Sequence, residues 1–113
     1  MAEAVDTTQL ENGITLHPMP LTAGQKAVVR YHGLLARSGA QQVYLHCGFG
    51  SDDLGAWSQV QDIPMTNTPE GWEAQVDLTD PSRLHFCFRD NVGNWDNNSG
   101  RNWHVEIHNG GWI

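Results

Sequence analysis

The chain has 113 residues, which suits one domain, and its 13 acidic and 6 basic side chains give a net charge of −7. This acidic balance argues against a nucleic-acid partner or an anionic membrane surface, since both need a basic face. No run of about 18 apolar residues occurs, so no segment is expected to span a bilayer. Five of the ten aromatic residues are Trp, which is favoured where an apolar surface meets water or a ligand.

The predicted elements begin after a polar, acidic stretch, which predicts a flexible N-terminal tail over residues 1–12 and a single domain over residues 13–113. Seven short runs then alternate apolar and polar side chains with the period of a β-strand: 14–17, 27–32, 42–47, 60–65, 72–78, 83–89 and 103–108. The segment 33–39 has room for one helical turn between glycines. The sequence therefore predicts an all-β fold, an immunoglobulin-like antiparallel β-sandwich of about seven strands.

The two cysteines lie in strand runs with opposite phase. Cys47 falls on the apolar side of its run, whereas Cys87 shares a side with His85 and Arg89. The side chains are therefore expected to point to opposite faces, which favours two free thiols over a disulfide and fits a reducing compartment.

Catalytic and metal-binding motifs are poorly represented. The chain has neither a Gly-x-Ser-x-Gly elbow nor a phosphate-binding glycine loop, and the carboxylate pairs Asp52/Asp53 and Asp90/Asp96 are best interpreted as solvated loop residues. The segment 90–96 resembles a calcium loop, but Val92 occupies a ligand position. The sequence therefore predicts no enzyme activity, no metal site and no cofactor.

Two polar loops, 48–57 and 91–102, each follow a strong strand and each contain one Trp. An indole packs on the C–H face of a sugar ring, and neighbouring Asn, Asp and His side chains bond its hydroxyls. Trp57, Trp95 and the outward-facing His46 could thus form one shallow platform for a sugar. The alternative is that each Trp merely covers the end of the core.

Four stretches carry a family resemblance: Val-Tyr-Leu-His-Cys-Gly at 43–48, Trp72 after a glycine, Leu-His-Phe-Cys-Phe at 84–88, and Asn-Trp-Asp-Asn-Asn-Ser-Gly-Arg-Asn at 94–102. Together they resemble the family 25 carbohydrate-binding modules over about residues 20–107. That family consists of starch-binding modules with an immunoglobulin-like β-sandwich.

The resemblance implies that residues 13–113 form a non-catalytic module that binds α-glucan: starch, glycogen or maltooligosaccharides. It implies a platform of His46, Trp57 and Trp95, with Asn97 or Asn98 as hydroxyl partners. The segment before Trp57 is longer than in the family, and Trp72 and Trp103 are expected to be structural.

Two other functions remain open, a protein–protein adaptor with Trp-rich loops and a small hydrolase. Release of reducing sugar from amylose would indicate the hydrolase, and we expect none. A glucan-processing enzyme is a candidate partner. Because no leader follows Met1, the chain is expected to be cytoplasmic, or secreted if it is excised from a larger amylase.

Overall fold

Two β-sheets pack face to face in the computed structural model, which describes residues 7–51 and 56–108. In these ranges the strands are β1 (Thr8–Leu10), β2 (Ile14–His17), β3 (Leu21–Thr22), β4 (Lys26–Tyr31), β5 (Val43–Gly50), β6 (Ser58–Pro64), β7 (Thr66–Thr68), β8 (Gly71–Asp77), β9 (Arg83–Asp90), β10 (Trp95–Asp96) and β11 (Trp103–His108). A single helical turn, α1 (Leu34–Arg37), follows β4. Across the described ranges, no helix is long and apolar enough to cross a membrane.

The first sheet has the strand order β1-β2-β4-β8-β7, and the second has β3-β11-β9-β5-β6 with β10 paired to β9. Taken in chain order, β2, β4, β5, β7, β8, β9 and β11 reproduce the ABED and GFC arrangement of immunoglobulin-type sandwiches. The pairing is antiparallel except between β3 and β11, which run parallel.

All seven predicted runs form strands, and the helical turn is present, so the all-β sandwich is confirmed. The four additional strands are β1, β3, β7 and β10. Part of the predicted tail is ordered, because Thr8–Leu10 pairs with β2 and the Glu11 carbonyl accepts a bond of 3.0 Å from Trp103 Nε1. Residues 1–6 lie outside the described residues.

The core lies between the sheets and contains the side chains that the alternation predicts. The largest fully buried residues include Leu16, Val29, Tyr31, Leu45, Phe49, Leu84, Phe86 and Phe88. Trp72 and Trp103 are also buried, which confirms their structural role, whereas Trp112 lies outside the described residues.

Both cysteines are free, as predicted, and both are buried. Burial raises the pKa of Cys47 and of Cys87 to about 12, so each is a neutral thiol near pH 7. The burial of Cys87 shows that the outer face of the second sheet is itself covered by side chains there.

Candidate functional site

Aromatic rings cover part of the outer face of the second sheet. The His46 ring lies between two indoles, with its centroid 5.7 Å from that of Trp57 and 5.2 Å from that of Trp95. Trp57 also stacks on His85, at 5.5 Å between centroids and 17° between planes. We call His46, Trp57, His85 and Trp95 the aromatic face. Trp95 is 49% exposed and Trp57 is half-buried, so both indoles reach the surface.

A glycine makes room for Trp57. A Cβ atom at Gly48 would lie 2.8 Å from the Cβ atom of Trp57 and 3.2 Å from a methyl carbon of Val60. A side chain at this position would force Trp57 or the backbone beside it to shift. Gly48 on β5 pairs with His85 on β9. The Trp57 indole therefore lies over His85 and stacks on the imidazole ring.

The orientation of His46 is set by a carboxylate on the next strand. Asp62 Oδ1 accepts a bond of 2.9 Å from His46 Nδ1 and one of 3.2 Å from Arg89 Nε. Burial by itself would raise the pKa of Asp62, but the hydrogen bonds and charges of His46 and Arg89 outweigh it and lower that pKa. A carboxylate only accepts, so the proton of a neutral His46 ring is on Nδ1, and Nε2 is left as an acceptor.

Trp95 is fixed through its neighbour in β10. Asp96 Oδ2 accepts a bond of 2.5 Å from the Tyr31 hydroxyl, whose oxygen in turn accepts one of 2.9 Å from the Leu35 backbone N–H. Burial and the bond to Asp96 raise the pKa of Tyr31, so the phenol stays protonated. This buried contact ties β10, and with it Trp95, to β4 and α1.

Below Trp57, the fully buried His85 ring makes a chain of contacts. Its Nε2 lies 2.9 Å from the Gly50 carbonyl oxygen, and its Nδ1 lies 2.5 Å from Nδ1 of His104. The Nε2 of His104 lies 2.7 Å from the Arg101 carbonyl oxygen. Trp57 therefore packs on a polar ring that makes hydrogen bonds, although His85 is 0% exposed.

The two asparagines predicted as sugar partners differ. Asn97 is exposed, and its Oδ1 accepts a bond of 2.9 Å from the Gly100 N–H. Asn98 is 3% exposed, and its amide is bonded to Asn12, to Glu11 and to the Asn102 carbonyl oxygen. Asn98 therefore holds the loop together from inside, and its burial argues against the predicted role as a hydroxyl partner.

The structure brings the rings of His46, Trp57 and Trp95 together. Sequence reasoning missed His85, Gly48 and Asp62. Asp62 could have been found from its position on the polar side of β6, the strand that pairs with β5. For His85 the sequence showed only that the side chain alternates to the outer side of its strand. In the two described ranges, no group of three His, Cys, Asp or Glu side chains could hold a metal ion.

The family comparison covers three of the four residues of the aromatic face. The model of the Starch/carbohydrate-binding module (family 53) matches residues 27–86, which is 60 of the 113 residues. No match was found among curated proteins or among solved structures. The matched range contains His46 and Trp57 and ends before Trp95.

The β-sandwich and this match place the chain in the class of starch- and carbohydrate-binding modules. Within that class the chain belongs to family 53. The resemblance to family 25 predicted the class, but membership of family 25 itself is not confirmed.

Proposed function

We propose that this module binds α-glucan non-catalytically by stacking sugar rings on Trp57 and Trp95, with His46 bonding a hydroxyl between them. The observation that carries the proposal is the position of the His46 ring, within 6 Å of both indoles. Sugar C–H faces pack on aromatic faces, and the free Nε2 of His46 supplies an acceptor for a hydroxyl. Asn97 is the remaining candidate for a second hydroxyl partner.

The angle between the indoles supports a curved ligand. The His46 ring makes 39° with the Trp57 plane and 88° with the Trp95 plane, so the two indole planes differ by at least 49°. A flat, extended chain would need two nearly coplanar rings. A helically curved chain such as an α-1,4-glucan turns successive sugar faces in different directions, which two inclined indoles match.

The test is affinity electrophoresis in native gels that contain soluble starch, with glycogen and hydroxyethylcellulose in parallel gels. We expect starch and glycogen to retard the wild type and hydroxyethylcellulose not to. Trp57→Ala and Trp95→Ala should each weaken binding at least about tenfold, or about 1.4 kcal/mol, because each removes a stacking face. Gln75→Ala, on the exposed face of the opposite sheet, is the control and should bind as the wild type does. Unchanged retardation of both Trp variants would refute the assignment of the site.

The proposal also covers the partner of the module, its location and its lack of catalytic activity. The module would hold a glucan-processing enzyme on its polysaccharide and would act in the cytoplasm, where its two free thiols stay reduced. It would release no reducing sugar from amylose, and a reducing-sugar assay tests this part separately.

A further inference from the structure

A cavity of about 630 Å³ also borders Trp95. Its walls come from α1 with the turn after it and from the loop between β9 and β10. We call it the Trp95 groove, and the lining residues that matter here are Leu34, Gln41, Asn91, Val92 and Trp95. Its volume lies within the range of roughly 300–1,000 Å³ that is typical of small-molecule sites.

The groove gathers exposed apolar side chains. Four large hydrophobic residues of the described chain are exposed: Leu34 at 52%, Val60 at 49%, Val92 at 74% and Trp95 at 49%. Three of these four line the groove, and the fourth, Val60, lies beside Gly48 next to Trp57. Scattered exposed apolar residues need no explanation, but a cluster around one concave surface is typical of a binding site.

The loop wall of the groove is rigid. Asp90 Oδ1 accepts bonds of 3.0 Å from the Val92 N–H and 2.8 Å from the Asn94 N–H, and its Oδ2 accepts one of 2.8 Å from Asn94 Nδ2. The side-chain bond from Asn94, aided by the backbone bonds, lowers the pKa of Asp90, so the carboxylate stays ionised and bonded within its loop. Val92 is therefore presented to solvent by a fixed turn.

The helical wall is tied to the same framework. The Tyr31 hydroxyl accepts a bond from the Leu35 N–H of α1 and donates one to Asp96 of β10. One buried group thus sets the spacing between α1 and the strand that carries Trp95. A preformed cleft loses less conformational entropy when it binds a ligand than a cleft that must first close.

We propose that the Trp95 groove is an extension subsite in which the glucan chain continues beyond the aromatic face. This inference rests on the proposed function, because Trp95 belongs to both surfaces and would carry the chain from one to the other. Leu34 and Val92 would contact sugar C–H groups, and Gln41 and Asn91 would bond hydroxyls.

The lining favours a polysaccharide over a protein partner. Among the described residues that line the groove, Asp90 is the only charged one, and its carboxylate oxygens are already bonded within the loop. Apart from Trp95, the other side chains in this lining are aliphatic or neutral and polar, which is the chemistry of a neutral sugar with C–H faces and hydroxyls. Protein interfaces are instead enriched in Arg and in several aromatic residues, whereas the described lining contains one aromatic residue, Trp95.

The test uses chain length. Maltotriose and maltoheptaose are titrated by calorimetry into the wild type, Leu34→Ser, Val92→Ser and Trp95→Ala, with Val28→Ser on the opposite sheet as the matched control. We expect Leu34→Ser and Val92→Ser each to weaken maltoheptaose binding about fourfold, the value of one buried methylene group, and to leave maltotriose binding unchanged. Methyl spectra of the wild type should show the Val92 signals shifting with maltoheptaose and not with maltotriose.

The outcomes separate the two proposals. If the wild type binds neither sugar, the proposed function fails. If Trp95→Ala weakens binding of both sugars while Leu34→Ser and Val92→Ser bind maltoheptaose as the wild type does and the Val92 signals stay in place, the function stands and the extension subsite is refuted. Equal loss in Val28→Ser would also refute it, because the effect would then not be local.

Discussion

The histidine pair beneath Trp57 needs more protons than two neutral rings carry. The carbonyl oxygens of Gly50 and Arg101 only accept, so the Nε2 atoms of His85 and His104 must both donate. The contact between the two Nδ1 atoms then requires a third proton. Two neutral rings carry two protons, so they can satisfy two of these three contacts, and the third contact needs a donor from outside the pair.

This count of protons predicts different effects for two substitutions. His104→Leu leaves the buried Nδ1 of His85 without its partner and should lower the free energy of unfolding by about 1–3 kcal/mol, measured with urea. His104→Gln should recover most of that loss, because its amide can donate to Nδ1 of a neutral His85. Equal stability of the two variants would contradict this account.

At the level of single residues, the sequence predicted what alternation and loop composition encode. The outward phase of His46 and the polar surroundings of Trp95 marked them as surface groups. Asn98 has similar polar neighbours, yet it is buried, because Glu11 and Asn12, more than 80 positions away, close over it. Such distant packing leaves no local pattern, which is why Asn98 and Asn97 looked equivalent in the sequence.

Among the elements, the longer strands were predictable and the short ones were not. β3 and β10 have two residues each, too few to show any period. Their existence depends on partners, with β10 held to β9 and β3 to β11. The strand that carries Trp95 was therefore predicted as a loop, and its position depends on the buried bond between Tyr31 and Asp96.

Tyr31→Phe tests that dependence. The change removes one hydroxyl, leaving the Asp96 carboxylate, 8% exposed, and the Leu35 N–H without this partner. We expect unfolding to require about 1–3 kcal/mol less free energy, since unsatisfied buried groups keep their desolvation cost. Starch affinity should fall as well, because β10 and α1 lose their common anchor.

Tyr44→Phe removes the other tyrosine hydroxyl of the chain, on the face beside Arg89, and serves as the control. Loss of stability without any change in affinity would show that Trp95 is held by other contacts.

For the whole molecule, the net charge of −7 separates glucan binding from the protein–protein adaptor that the sequence left open. An adaptor with this charge would attract a basic protein partner, and such attraction weakens steeply as salt shortens the Debye length from about 10 Å at 0.1 M to about 3 Å at 1 M. A neutral glucan held by stacking and hydroxyl bonds has no net charge to screen.

We therefore expect the affinity for maltoheptaose, measured by calorimetry, to change less than about twofold between 0.1 M and 1 M NaCl. The ion pair between Lys26 and Asp77, exposed on the opposite sheet, will be screened without consequence for the site. A tenfold loss of maltoheptaose affinity in high salt would instead mean that charged groups dominate binding, and stacking on Trp57 and Trp95 would no longer account for it.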